Sequence, residues 1–241
     1  MKGNIIVMSY SGNVGKSTII RHMLMPHLTG YVLKEIESIN SSGNDAVMVN
    51  GENVGKHLDE LILADNNVFD VGASNVERFV DALKLRDGAH EDIALFIVPV
   101  TPDNKQIADG VNTIRHLLDY GVDQAKVLVI FNRVPVSLTG EDVKEKFMPF
   151  FKMKDKWPGL RVSVEYIINQ NELFDKLTRQ KLSVPELALD ATDYKSEIVK
   201  TGDEKVRAEL AKKLTYVRMA RALGKQLDTL YGKAVENGSA A

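Results

Sequence analysis

The chain of 241 residues contains no cysteine. That excludes disulfides, thiolate-held zinc and thiol nucleophiles, and it fits a reducing compartment. Only one tryptophan is present and aromatic residues make up 7% of the chain, too few for a row of base-stacking platforms. Trp157, in "DKWPGL", is therefore expected to anchor a loop. No apolar run approaches the ~20 residues that a membrane-spanning helix needs. Residues 1–10 hold one charged side chain, so a secretory leader is not expected either. The five histidines, at positions 22, 27, 57, 90 and 116, show no metal-ligand spacing.

What is present describes an ordinary globular chain, 44% hydrophobic and 27% charged, long enough to bury one sizeable core. The net charge of −2 hides an asymmetry: from residue 195 onward there are ten basic and six acidic side chains. A basic tail on an acidic body points to a polyanion partner or, equally, to a solvated helix face.

Apolar runs alternate with amphipathic stretches. Strands are expected at 4–9, 31–37, 67–72, 93–100, 126–134 and 162–168, and helices from about Lys16, over 57–64, over 76–85 and over 107–121. Such alternation implies βαβ units and a mainly parallel sheet flanked by helices. The runs at 93–100 and 127–131 are almost wholly apolar, as strands covered on both faces must be. Leucine and valine recur at helical spacing from about 200 to 232, a long C-terminal amphipathic helix, with an irregular linking segment before it. The expected organisation is a core over 1–180, a linker over 181–200 and the helix over 201–234.

The stretch "SGNVGKST", residues 11–18, follows the first strand and opens the first helix. A chain that turns from strand to helix there aims several backbone N–H groups at one spot, which suits phosphate. Lys16 can reach the β- and γ-phosphates and the Ser17 hydroxyl can hold Mg²⁺, with Thr18 a second hydroxyl nearby. A second "NVGK", at 53–56, is followed by histidine and lacks the hydroxyl; a plain helix start is expected. Tyr10 stands where G-x-x-x-x-G-K-[ST] requires glycine. Further candidates lie at strand ends. Asp70, in "FDVGAS", can bind Mg²⁺ through water and respond to the γ-phosphate, or cap the next helix. Glu35 and Glu37 share one strand face and can orient water, or be merely solvated. Asn132, in "IFNRVP", offers an amide for an adenine edge, while Pro135 stands where a guanine-reading carboxylate would be.

These residues resemble the ParA/MinD group of deviant Walker A ATPases, most closely the StbB-type plasmid-stability ATPases of conjugative plasmids, over residues 4–170. "SGNVGKST" is similar to the group's K-G-G-x-G-K-[ST] loop, "EIE" at 35–37 to its D-x-D, "DVGAS" to its switch-II segment, and Asn132 to its adenine-reading asparagine. The resemblance implies a P-loop, SIMIBI-like fold, Mg·ATP as ligand and slow hydrolysis to ADP and phosphate. It implies nucleotide contacts from Ser11, Gly12, Asn13, Val14, Gly15, Lys16, Ser17, Thr18, Asn132 and Arg133, a metal held by Ser17 and Asp70, and catalysis involving Lys16, Glu37 and Asp70. It also implies an ATP-bound homodimer, an adaptor or DNA-binding partner protein, non-specific DNA binding through the basic C-terminal region with membrane as the lesser alternative, and a bacterial cytoplasmic or nucleoid-associated location. One departure stands out: the group's signature lysine, which reaches across the dimer, is here Ser11. Arg133 or Lys34 is a candidate substitute cation. Two other readings remain open, a dethiobiotin-synthetase-like ligase and a nucleotide-binding module that has lost hydrolysis.

Overall fold

The computed structural model describes residues 3–37, 47–50, 55, 58, 66–86 and 88–236, with Glu37 and 47–50 described in backbone only. The second "NVGK" and the helix expected over 57–64 lie outside the described residues, apart from Gly55 and Leu58.

The described strands form one sheet in the order β3-β2-β4-β1-β5-β6-β7, every pair parallel. They are β1 (Asn4–Met8), β2 (Val32–Glu37), β3 (Val47–Asn50), β4 (Asn67–Val71), β5 (Ile93–Val100), β6 (Val127–Val134) and β7 (Ile167–Asn169). Side chains alternate between faces along a strand, and the two halves of the core follow that period. Ile6, Met8, Phe69, Val71, Phe96, Val98, Val129 and Phe131 pack on one side against α2 (Val76–Lys84), α3 (Asn104–Asp119), α4 (Gly140–Lys146) and α5 (Met148–Lys156). Ile5, Val7, Val68, Leu95, Ile97, Leu128 and Ile130 pack on the other. There they meet α1 (Lys16–Ile19) with its π-helical continuation Ile20–Leu24, α6 (Leu173–Gln180), α7 (Val184–Ala188) and α9 (Glu204–Tyr231). Strands buried on both faces read as near-continuous apolar runs, as in β5 and, after Asn4, in β1.

Two expectations need correction. The segment 162–168 is strand only at its end: after an isolated bridge from Arg161 to Leu128, residues 164–165 form a turn, and the paired strand runs from Ile167. Residues 181–200 are not irregular. Ser183 and Glu186 form a reciprocal capping box that starts α7, and Asp193 caps α8 (Tyr194–Lys200). Each helix spans fewer than two heptads, too short for an apolar period to show.

The long helix has two halves. Val217, Ala220, Leu223, Leu227, Leu230 and Tyr231 are buried, whereas 204–209 and 211–213 are exposed. The buried half braces the helical segment that follows the loop at 11–15: His27 stacks on Tyr231 with ring centroids 4.2 Å apart and meets Asp228 at 3.2 Å.

His22, in the π-helical turn, is buried, and its Nδ1 accepts the Val184 N–H at 3.3 Å. Burial, helped by the neighbouring Arg21 charge, lowers its pKa from the ordinary 6.5 to about 4. The folded chain thus holds the imidazole neutral. This contribution is complete above the unfolded value and is lost as pH falls from 6.5 towards 4. Relative to His22→Gln, wild-type unfolding free energy in urea should drop by about 3 kcal/mol between pH 7 and pH 4; parallel pH profiles would contradict this.

Candidate functional site

β1 ends at Met8, and the chain needs seven residues to turn into α1. Two of them take positive φ, Asn13 at 59° and Gly15 at 87°. Asparagine tolerates the left-handed region, which is how this loop does without a glycine at position 13. Gly15 has no such substitute, since a Cβ there would lie 2.0 Å from Asn132 Nδ2. The loop is pinned from three sides. Tyr10 N–H donates to Thr113 Oγ1 at 3.2 Å, Ser11 N–H to Ser9 Oγ at 3.2 Å, and Asn132 Nδ2 to Val14 O at 2.8 Å. Among the described residues, the amides of Gly12 to Ser17 donate to no protein acceptor. They open on a cavity of about 440 Å³ lined by Gly12, Asn13, Lys16, Ser17, Arg21 and Arg133, among others.

Behind this cavity lies a buried carboxylate. Asp70, near the carboxyl end of β4, is 5% exposed. It does not cap the following helix: its Oδ2 accepts the Ser17 hydroxyl at 2.7 Å. Its Oδ1 has no hydrogen-bond partner among the described residues. Burial raises its pKa above the ordinary carboxylate value, against the opposing pull of Lys16, the Ser17 hydrogen bond and Arg21. A hydroxyl and an unsatisfied carboxylate oxygen side by side are the donors a hard divalent cation takes, alongside water and phosphate oxygens. The residues present therefore fit Mg²⁺. Lys16, Arg21 and the exposed Arg133 make no side-chain hydrogen bond or ion pair with any described residue. Three cations with no hydrogen bond or ion pair among the described residues, around a pocket rich in N–H groups, suit a polyanion.

A second cavity of about 560 Å³ continues from the first through the shared residues Thr18, Arg133 and Thr178, and adds Asn132, Gln170, Asn171, Phe174 and Asp175. Together they form a groove along the carboxyl ends of the strands, where ligands of open parallel sheets bind. The structure thus gathers Gly12, Asn13, Gly15, Lys16, Ser17, Thr18, Asn132 and Arg133 around one groove, with Asp70 beneath. Val14 is fully buried and contributes its carbonyl to Asn132. Ser11 is 4% exposed, lines neither cavity, and gives its hydroxyl to Asp109 on α3. Glu37 closes β2 at the same end of the sheet, but its side chain lies outside the described residues. Lys34 has its ammonium 5.8 Å from the Phe69 ring centroid and lines neither cavity. Asn132 is already engaged at both ends of its amide, donating to Val14 O and accepting Arg133 N–H at 2.9 Å. In these contacts it positions the loop.

Sequence reasoning missed Arg21 and the 170–175 segment. The first follows the motif by three residues and interrupts an otherwise apolar "TIIRHML". The second follows β7, which ends at Asn169, one residue beyond the strand expected from the sequence. A separate cavity of about 550 Å³ between α6 and α9, walled by Leu182, Leu187, Tyr194 and Tyr216, lies away from this groove.

No protein-family model matches the chain, and no curated protein matches it. Among solved structures, the fold is similar to that of a ParA family ATPase from Chlorobium tepidum, at 13% identity and TM-score 0.54, covering 91% of this chain and 99% of that one. A MinD cell division protein from Aquifex aeolicus matches at 15% identity and TM-score 0.47, covering 88% and 97% of the two chains. A protein from Borrelia burgdorferi, described as a plasmid partition protein and bound to AMPPNP, matches at 12% and 0.47, covering 89% and 97%. At these identities the likeness concerns the fold, an α/β parallel sheet flanked by helices, and the Chlorobium structure carries it.

Asp70→Asn keeps the partner for Ser17 and removes a buried charge whose second oxygen is unsatisfied. The nucleotide-free variant should be more stable than wild type at pH 8 by about 1–3 kcal/mol. Because the folded-state pKa is raised, this advantage shrinks as pH falls and the wild-type carboxyl protonates. Thermal unfolding with and without Mg²⁺ across that range checks the sign; a destabilised variant at pH 8 would contradict it.

Proposed function

We propose that the chain is a Mg²⁺-dependent ATP-binding protein that hydrolyses ATP slowly and serves as a nucleotide switch in plasmid partition, stability or positioning. The observation that carries the nucleotide assignment is the set of cations and loop amides without acceptors among the described residues, grouped around Ser17 and the buried Asp70. In this reading the loop amides and Lys16 hold the β- and γ-phosphates, and Ser17 and Asp70 hold Mg²⁺, directly and through water. The metal, when bound, neutralises charge between phosphates. Arg133 stands at the junction of the two cavities, where the phosphates give way to the nucleoside. The base and ribose fill the second cavity, with the half-buried Phe174 ring and the amides of Gln170 and Asn171 around them. Asn132 then serves adenine only through the one amide N–H it has left. Glu37 is the candidate for orienting the attacking water.

The switch itself is supported by position. Asp70 and Gly72 lie between the metal site and the segment Ala73–Asn75, and Ala73 lines the phosphate cavity. Loss of the γ-phosphate there removes contacts that hold this segment. The surfaces that would read the switch are a second copy of the chain, an adaptor protein and DNA. The exposed half of α9 presents Lys205, Arg207, Lys212 and Lys213. Arg221 is not free for DNA, since its guanidinium donates to Ala188 O at 3.1 Å and Asp190 O at 2.8 Å. No described helix is long and apolar enough to cross a membrane.

Lys16→Ala should weaken Mg·ATP binding at least about tenfold by calorimetry, the loss of one charge-assisted phosphate contact. A variant that binds as tightly as the parent would overturn the nucleotide assignment. For DNA, Lys205→Glu combined with Arg207→Glu should weaken binding alike on unrelated duplexes and reduce the slope of log affinity against log salt by about 2. An unchanged slope would remove α9 from the DNA-binding surface.

A further inference from the structure

We propose that Arg21, carried by the π-helical turn after the phosphate loop, supplies from within the same chain the second cation for the terminal phosphate, so that the site needs no residue from a partner subunit. This rests on the reading of the cradle as a Mg·ATP site. The position from which a lysine would reach another subunit is closed here. Ser11 is buried, its amide is bonded to Ser9 Oγ and its hydroxyl to Asp109. A serine in that setting presents no positive charge to anything outside its own chain.

The structure offers three candidates for the missing charge. Lys34 is excluded by its place over the Phe69 ring and away from the groove. Arg133 leaves the end of β6 with φ of 54°, is exposed, and lines both cavities together with Thr18 and Thr178. It belongs to the nucleoside side of the phosphate chain. Arg21 lines only the phosphate cavity, with Lys16, Ser17 and Ala73. It thus shares the wall that carries Ser17, whose hydroxyl bonds Asp70, and this is the metal and γ-phosphate side.

The backbone at this point is unusual. α1 gives way after Ile19 to a π-helical turn over Ile20–Leu24. Ile20, Met23 and Leu24 are fully buried in the core, while Arg21 stays half-exposed at the cavity. Single π turns within helices are frequent at functional sites because the wider turn changes where a side chain points. No described carboxylate or carbonyl accepts from the guanidinium, so its planar fork is available for two phosphate oxygens at once. A cation so placed stabilises the charge that develops on the phosphoryl oxygens as the bond to the leaving group breaks.

The experiment measures calorimetric affinity for Mg·ADP and for a non-hydrolysable Mg·ATP analogue, and single-turnover hydrolysis at several protein concentrations. Arg21→Ala should weaken the analogue about tenfold and ADP much less, and Arg21→Lys should recover part of the loss. Arg133→Ala should weaken both ligands together. Wild-type hydrolysis per chain should not rise with protein concentration. Circular dichroism and thermal unfolding of Arg21→Ala establish that it is folded; should it not fold, Arg21→Gln serves in its place. If the wild type binds the analogue but the Arg21 variant binds and hydrolyses equally well, the proposal is overturned and the cradle reading stands. A per-chain rate that climbs with concentration also overturns it. Failure of the wild type to bind either nucleotide sinks the underlying reading itself.

Discussion

The hydrogen bond from Asn132 Nδ2 to Val14 O holds the site in shape. A loop with Asn13 and Gly15 both left-handed would not keep a single conformation in water, because the asparagine pays about 1 kcal/mol or more there and the glycine is free to leave. Asn132 enforces it by crossing from the end of β6 to the middle of the loop, so closely that only glycine fits at position 15. The same amide accepts the N–H of Arg133, whose own φ is positive. One buried side chain thus sets both the cradle and the direction in which the next cation leaves the sheet. Resemblance suggests an asparagine that reads a base; the contacts show an asparagine whose first task is to build the loop.

Around that fixed loop the electrostatics are left unbalanced. Most buried carboxylates are satisfied, yet among the described residues one oxygen of Asp70 has no partner and three cations line the cavity without an acceptor. The fold bears this imbalance because the rest of the molecule is an apolar three-layer sandwich. Its two cores are separated by a sheet buried on both faces, and α9 clamps the helical segment after the loop at 11–15 from outside. A metal and a polyphosphate would satisfy the orphaned oxygen, the free amides and the cations together.

The sheet was legible because β5 is apolar throughout and β1 is apolar from Ile5 to Met8, the pattern of strands covered on both faces. The cradle was legible because strand, Gly-Lys-Ser and helix occur in the one order that aims amides at a point. What escaped had weaker local causes. In "VSVEYII" the alternation of apolar and polar residues suits a strand, yet a turn held by Tyr166 N–H to Ser163 O at 3.1 Å takes its first half. The helices α7 and α8 rest on caps and on packing against α9 rather than on their own period. Arg21 carries no motif; its meaning comes from a π turn and a neighbouring carboxylate, both tertiary facts. That Ser11 is sealed by Asp109, 98 residues away in sequence, could not be read from the loop.

Amide hydrogen exchange with and without Mg·ATP tests the central claim most directly, because the claim concerns particular N–H groups. The account expects marked slowing at Gly12 to Ser17, which have no acceptor among the described residues, with smaller changes at Ala73 and Asn171. Unchanged exchange across 12–17 at saturating nucleotide, or protection confined to the cavity between α6 and α9, would contradict it.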